Sequence, residues 1–173
     1  MSEFSESLYA AYPLLGRNAI LLDTNLMVVY TVACLDIYRI GRAKRTEAFT
    51  STDGRRLLYL VSRFRRRRST PAILAESFNL LEPFFKTLPP SESHRLQTAI
   101  REEIDLIEEH YVPAKRIAAD DALLRYGFTD LAIASHADNE TVIVTVDLPL
   151  IGLLEKRNLA VLNYNHLRTE ILR

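Results

Sequence analysis

The sequence contains a single cysteine and has no excess of charge of either sign. With Cys34 alone, an internal disulfide and a zinc site built from several cysteines are both excluded. Lysine and arginine together number 22, and so do aspartate and glutamate. Net charge therefore neither favours nor opposes a polyanionic partner, and only a local patch of charge could attract one.

Long apolar runs are missing as well. The uninterrupted apolar stretches fall well short of the roughly 20 residues that are needed to span a bilayer. Residues 1–6 carry acids where a signal peptide requires basic residues. We therefore expect a soluble, cytoplasmic protein that has no membrane partner.

Several familiar catalytic arrangements are absent. The 5 glycines form neither a phosphate-cradling loop nor a dinucleotide-binding fingerprint. The 4 histidines are scattered without the spacing of metal ligands, and no Ser–His–Asp arrangement is present. Nucleotide binding through a glycine-rich loop and catalysis by a serine triad are therefore not expected.

What the sequence does contain is an alternation of strand and helix patterns. Short apolar runs predict buried strands over 19–23, 141–146 and 159–162. Amphipathic segments between them predict helices, and this alternation is typical of a parallel sheet that is covered on both faces. We expect a single α/β domain with the architecture of a three-layer α/β/α sandwich. The predicted helices span 26–40, 55–66, 92–111, 115–126, 131–137 and 148–157, another begins at Pro71, and a turn is predicted over 50–54.

Four acids stand apart from those that simply face solvent. Asp23 and Asp147 each follow a buried apolar strand, and open parallel sheets place their chemistry just beyond the carboxyl ends of the strands. Glu76 falls inside a predicted helix, and Asp130 opens another. Acids embedded in apolar segments are costly to bury unless they are paired or bind a metal. Each acid alone could be a helix cap or a turn residue, but together they predict one acidic site.

The segments around these acids resemble the PIN-domain nucleases. In that family an aspartate follows the first strand, a glutamate lies in a helix after a Ser/Thr-Pro entry, an aspartate opens a helix after a glycine, and a last aspartate follows a strand. The resemblance covers about residues 18–165 of a single domain over 1–173, with 41–68 as an extended or inserted segment. The four segments are Leu22-Asp23-Thr24-Asn25, Thr70-Pro71-Ala72-Ile73-Leu74-Ala75-Glu76, Gly127-Phe128-Thr129-Asp130 and Val144-Thr145-Val146-Asp147.

The resemblance implies a divalent-metal-dependent endonuclease that hydrolyses the phosphodiester bonds of RNA. Mg²⁺ or Mn²⁺ is the expected cofactor, because hard divalent cations prefer oxygen ligands. Stand-alone domains of this family are commonly toxins of toxin–antitoxin pairs, so the expected partners are RNA, an antitoxin protein and a second copy of the chain. The expected metal ligands and catalytic residues are Asp23, Glu76, Asp130 and Asp147, supported by the hydrogen-bond donors Thr24, Asn25 and Thr145.

Two other functions stay open at this point. One is a nuclease that acts on structured RNA or DNA outside any toxin pair, for which the extra length in 41–68 gives some support. The other is a non-catalytic module that keeps the fold and binds nucleic acid or protein. Such a module usually lacks one or more of the acids, whereas this chain has all four.

A run of arginines just before the segment that carries Glu76 is the candidate nucleic-acid-binding surface. An acidic site needs cations around its rim if it is to attract a polyanion. We predict that this run borders the site and contacts phosphates, with a solvated helix end or the binding of an acidic partner as the alternatives. The residues are Arg63, Arg65, Arg66, Arg67 and Arg68.

Overall fold

The computed structural model describes residues 13–136 and 138–169, and these form a single parallel sheet flanked by helices. The strands are β1 (Ala19–Leu22), β2 (Arg66–Ser69), β3 (Ile107–Glu109), β4 (Thr141–Thr145) and β5 (Val161–Asn163). They lie in the order β3-β2-β1-β4-β5, and each neighbouring pair is parallel. The predicted α/β class and its layered architecture are confirmed. The first six residues, which carry the acids noted above, lie outside the described residues.

The helices connect the strands in sequence. Among those formed by residues 13–136 and 138–169, none is long and apolar enough to cross a membrane. Short 3-10 turns lie at Pro13–Gly16 and Ile37–Arg39. The helices are α1 (Thr24–Leu35), α2 (Ser51–Ser62), α3 (Pro71–Phe85), α4 (Pro90–Asp105), α5 (Ala114–Ala118), α6 (Leu123–His136), α7 (Leu148–Lys156) and α8 (Tyr164–Thr169).

The central strands β1 and β4 position the functional edge of the sheet. Every residue of both strands is buried, as the apolar and β-branched runs predict. Their register pairs Ala19 with Thr141 and Leu22 with Val144, so the two strands end side by side. The residues that follow them, Asp23 and the segment leading to Asp147, therefore lie at the same edge of the sheet.

Two strands occupy positions that the sequence patterns assign to helix ends. The helix predicted over 55–66 ends at Ser62 and β2 follows it, while the helix predicted over 92–111 ends at Asp105 and β3 follows that. Both predictions are wrong at these ends. The strand β2 lacks an apolar pattern because its arginines make ion pairs with acids of α4 and β3 instead of apolar contacts.

Further boundaries differ from the predictions, among them that of the strand predicted over 159–162, which is observed as Val161–Asn163. The turn predicted over 50–54 is the start of α2, where the Thr50 side chain accepts a hydrogen bond from the Asp53 backbone and Asp53 reciprocates as a capping box. The helix α1 ends earlier than predicted because Asp36 adopts extended backbone. The helix predicted over 115–126 is divided between α5 and α6.

The segment over 41–68 contributes directly to the core. It contains α2, whose Leu57 and Leu60 are both 0% exposed, and most of β2, which pairs with β1 and β3. The sheet therefore includes residues from the segment that was predicted to be extended or inserted.

Candidate active site

Asp23 follows β1 directly, and its side chain is hydrogen-bonded to Thr145, the last residue of β4. The side chain caps the start of α1, where Oδ1 accepts a hydrogen bond of 2.7 Å from the Leu26 backbone N–H. The Thr145 hydroxyl donates a hydrogen bond to Oδ2 and itself accepts one of 2.9 Å from the Asp147 backbone N–H. Because Asp23 is only 3% exposed, these bonds hold its carboxylate in one orientation.

Asp147 occupies the equivalent position after β4. It is half-buried and caps α7, with Oδ1 accepting a hydrogen bond of 3.0 Å from the Leu150 backbone N–H. Both aspartates thus lie at the positive ends of helix dipoles, which favour a negative charge. Asp147 also lines the cleft, so its carboxylate is placed where a ligand could bind.

Glu76 reaches the same edge of the sheet from α3. The start of that helix is as predicted, since Thr70 caps it through the Ile73 backbone N–H at 3.3 Å and Pro71 follows in the first turn. Glu76 is exposed. Its Oε2 accepts a hydrogen bond of 3.2 Å from the Thr24 hydroxyl, so the residue next to Asp23 also orients this second acid.

Asp130 is presented by a break in α6. Gly127 has φ 83° and ψ 176°, a backbone conformation that is essentially restricted to glycine. Beyond the break, Asp130 is half-buried. No described residue donates a hydrogen bond to its carboxylate, so Asp130 is the least supported of the four acids.

These four acids line one cleft with a volume of about 260 Å³. The segments that carry them come from four separate parts of the chain, and the sheet topology brings them to one place. Thr24 and Asn25 line the cleft as well, while Thr145 lies behind Asp23. The sequence reasoning did not anticipate Leu80, Tyr126 or Phe128 as lining residues, although the glycine between the two aromatic residues was an available signal.

Burial and mutual repulsion raise the pKa of two of the acids. Burial, followed by the charges of Asp147, Asp23 and Glu76, raises the pKa of Asp130 from 3.8 to about 7. Burial also raises the pKa of Asp23 to about 6, although hydrogen bonds from Thr145 and Leu26 act in the opposite direction. The cleft therefore holds more negative charge than its own donors neutralise.

Basic side chains do not compensate for this charge. Among residues 13–136 and 138–169, no lysine, arginine or histidine forms an ion pair with any of the four acids. In the same part of the chain, no three acidic, histidine or cysteine side chains lie close enough to hold a metal ion as they stand. The site is an open acidic cleft and not a closed metal cage.

The arginine run lies away from this cleft. Arg66 is level with Ala19, the first residue of β1, whereas Asp23 and Asp147 come after the last residues of β1 and β4. Arg66 pairs with Glu108 at 2.5 Å, and Arg67 pairs with Glu103. The 5% exposed Arg68 pairs with Asp138 at 2.5 Å and with Glu108 at 3.2 Å. Arg63 and Arg65 are exposed, but like the other three they do not line the cleft.

Comparisons of the chain with protein-family models, with curated proteins and with solved structures return no match. What the fold and the site define is therefore a class of architecture: an α/β protein with an acidic cleft at the carboxyl edge of a parallel sheet. Any more specific function depends on the side chains in this cleft and on the resemblance of the four segments.

The raised pKa of Asp130, caused first by burial and then by the neighbouring acids, predicts a pH-dependent gain in stability for Asp130→Asn. The folded protein retains a proton on Asp130 up to about pH 7, whereas the unfolded chain loses it near 3.8. Stability from this group is therefore lost as pH rises between these values. In EDTA, Asp130→Asn should differ little from wild type in stability at about pH 4 and should exceed it by about 1–2 kcal/mol at about pH 8, a difference discounted for solvent screening of a half-buried group.

Urea unfolding followed by circular dichroism at the two pH values measures this difference. Comparing wild type with the variant at each pH removes the contributions of titrating groups that lie away from the cleft, while changes at Asp23, Glu76 and Asp147 are part of the effect that is measured. A stability difference that does not change with pH would contradict the raised pKa of Asp130.

Proposed function

We propose that the protein is a divalent-metal-dependent endonuclease that hydrolyses the phosphodiester bonds of RNA, as the resemblance to PIN-domain nucleases implies. The observation that carries the proposal is the convergence of Asp23, Glu76, Asp130 and Asp147 on one cleft, whose lining includes no lysine or arginine among the residues that the structure describes. Charge of this kind is costly in a fold unless a cation binds to it. If these acids bind a cation, their free-energy cost in the unliganded fold is explained.

The donor set fits a hard divalent cation such as Mg²⁺ or Mn²⁺. All four side chains offer carboxylate oxygens, which these ions prefer over nitrogen and sulfur ligands. Asp23 and Asp147 are held in place by helix caps, whereas Glu76 is exposed and Asp130 has no donor among the described residues. Glu76 and Asp130 would supply further carboxylate oxygens to an ion that the two capping aspartates hold.

When bound, the ion supplies Lewis-acid stabilisation of the phosphodiester and makes a water molecule reactive enough to attack phosphorus. The chain supplies the positioning. Thr145 and the Leu26 backbone N–H orient the Asp23 carboxylate, and Thr24 orients Glu76. Asn25 is exposed within the cleft, where its amide can donate a hydrogen bond to a phosphate oxygen. In the hydrolysis, the oxygen of water bonds to phosphorus, the bond to the leaving sugar oxygen breaks, and the proton that water loses is transferred to that sugar oxygen.

A non-catalytic binding module is the second candidate function. The observation that favours it is the absence, among the described residues, of three ligand side chains close enough to hold an ion. If the acids do not close around a metal, the cleft can still bind a cationic segment of a partner protein. A role as the toxin of a toxin–antitoxin pair and a homodimeric state are proposals that follow from the resemblance. Cytoplasmic location is a proposal that follows from the short apolar runs of the sequence.

Metal-dependent cleavage tests the proposed function. Purified protein is incubated with labelled single-stranded RNA, single-stranded DNA and duplex RNA, in Mg²⁺, in Mn²⁺ or in EDTA. We expect RNA to be cut internally in either metal and to stay intact in EDTA. Glu155→Gln, an exposed acid on α7, is the matched control and should leave cleavage unchanged. Intact RNA in both metals would favour the non-catalytic module.

A further inference from the structure

An exposed aromatic ring borders the acidic cleft beside Asp130. Phe128 is 44% exposed and lines the cleft. Because an aromatic side chain is among the largest contributors to burial energy, leaving one in water at the mouth of a polar cleft forgoes considerable stabilisation. What distinguishes Phe128 from the other exposed apolar side chains is its place in the lining of the acidic cleft.

Tyr126 and Arg125 extend this rim. Tyr126 is half-buried and lines the same cleft, and the Arg125 guanidinium carbon lies 5.2 Å from the centre of its ring, within the range of a cation–π interaction. Arg125 is exposed and makes no ion pair with any residue in the described ranges. The rim therefore combines aromatic surface with one available positive charge.

The backbone break at Gly127 is what places both rings at the cleft. A Cβ on Gly127 would meet no atom within 4 Å, so space does not require glycine here. The backbone φ of 83° does require glycine, because residues that have a Cβ rarely adopt that conformation. The chain thus uses a specialised conformation to bring Tyr126 and Phe128 to the same side as Asp130.

We propose that an unpaired nucleobase of the substrate stacks on Phe128, so that the cleft selects single-stranded nucleic acid. This inference rests on the proposed nuclease function and deepens it by naming the class of substrate. Stacking on an aromatic side chain raises affinity by about 5- to 150-fold per base. In a duplex both faces of a base are covered by its neighbours, so a duplex must unstack before it can make this contact.

Phosphate contacts alone are a weaker explanation for binding at this rim. Within the described residues the lining of the cleft includes no lysine or arginine, and Arg66 to Arg68 pair with acids elsewhere in the fold. A nucleic-acid strand that binds mainly through its phosphates requires several cations on the protein, whereas the rim described above supplies one, Arg125. Stacking on Phe128 is therefore the larger contribution that the rim can make.

The absence of tryptophan from the sequence makes a direct test available. Phe128→Trp introduces a single fluorescent reporter at an exposed position, and stopped-flow mixing with a short oligouridine in Mg²⁺ reads binding before cleavage. We expect rapid quenching by oligouridine and none by an abasic ribose-phosphate strand of equal length. Leu106→Trp is the matched control, because Leu106 is 58% exposed but does not line the cleft, and it should not be quenched.

Affinity measurements provide the second arm. Phe128→Ala should weaken the binding of single-stranded RNA by about 5- to 150-fold, whereas Phe128→Tyr should retain it. The affinity for duplex RNA should be nearly the same in all three proteins. Equal quenching by the abasic strand, or equal affinities of Phe128→Ala and wild type for single strands, overturns the proposal. So does a Phe128→Ala variant that only dissociates a dimer, because the rim is then a self-association surface.

Failure of this proposal can be told apart from failure of the proposed function. If wild type cleaves RNA and the Phe128 variants bind it equally, the nuclease stands and stacking is wrong. If wild type cleaves nothing but oligouridine still quenches Phe128→Trp, stacking stands and hydrolysis is wrong.

Discussion

Asp23→Asn should reduce kcat/KM for RNA cleavage by more than about 100-fold, a loss larger than that of a typical supporting residue, and leave the fold intact. Asparagine caps helices as well as aspartate does, so the Leu26 backbone N–H keeps an acceptor. The amide nitrogen can donate to Thr145 in place of the bond that Asp23 accepts. What the variant loses is the negative charge at the point where β1 and β4 meet.

A second capping aspartate provides the control. Asp36 accepts a hydrogen bond of 2.9 Å from the Tyr38 backbone N–H at the start of a 3-10 turn, and it does not line the cleft. Asp36→Asn should therefore cleave RNA at the wild-type rate. Circular dichroism and a melting curve establish that both variants fold. If folded Asp23→Asn keeps more than about a tenth of the wild-type kcat/KM, in contrast to the larger loss expected of a ligand, Asp23 is not central to the site.

Arg68→Met should lower the free energy of unfolding by about 3 kcal/mol, at the lower end of the cost of breaking a buried ion pair. The Arg68 side chain is 5% exposed and its guanidinium donates to Asp138 at 2.5 Å and to Thr141 at 2.6 Å. Methionine fills similar volume but satisfies neither partner. The cost stays at the lower end because the Asp138 side chain is 47% exposed and water can solvate it.

The loss should depend on pH in a defined direction. Although burial would raise the pKa of Asp138, hydrogen bonds from Thr141 and Arg68 hold it well below its ordinary value of 3.8. The contribution of the pair is therefore present above that value and is lost as pH falls below it. Urea unfolding at neutral pH and in acid measures both effects.

Arg65→Met is the matched control for the arginine run. Arg65 is exposed, so this substitution should change stability by no more than about 0.5 kcal/mol. If Arg68→Met is as stable as Arg65→Met but weakens RNA binding and flattens its dependence on salt, the run is a phosphate-binding surface after all. Unchanged salt dependence with lost stability supports a structural role.

The parts of the fold that the sequence predicts are those governed by local chemistry. The run Ala19 to Leu22 is apolar throughout and is found as a buried strand. The Thr70-Pro71 step starts a helix because the hydroxyl caps it and proline suits the first turn. The same local patterns place an acid after each of two buried strands, which is why Asp23 and Asp147 could be assigned to the carboxyl edge of the sheet from the sequence, whereas the pairing of β1 with β4 could not.

The parts that the sequence does not predict depend on long-range partners. The arginines of β2 show no apolar alternation, and only the acids of β3 and α4, far along the chain, make a buried strand of them. The strand β3 is short, and within the described residues β2 is its partner in the sheet. A prediction that does not recognise β2 as a strand therefore gives no reason to expect β3. The aromatic rim likewise depends on the conformation of Gly127, since a glycine in a sequence does not reveal its φ.

Binding of Mn²⁺, followed by electron paramagnetic resonance as the signal of the free ion disappears, tests the central claim most directly. The claim is that the cleft of Asp23, Glu76, Asp130 and Asp147 is a divalent-cation site. We expect wild type to bind at least one ion and Asp130→Asn to bind it at least about tenfold more weakly, while Glu155→Gln binds as wild type does. Wild type that binds no Mn²⁺, or Asp130→Asn that binds it equally well, would contradict the account.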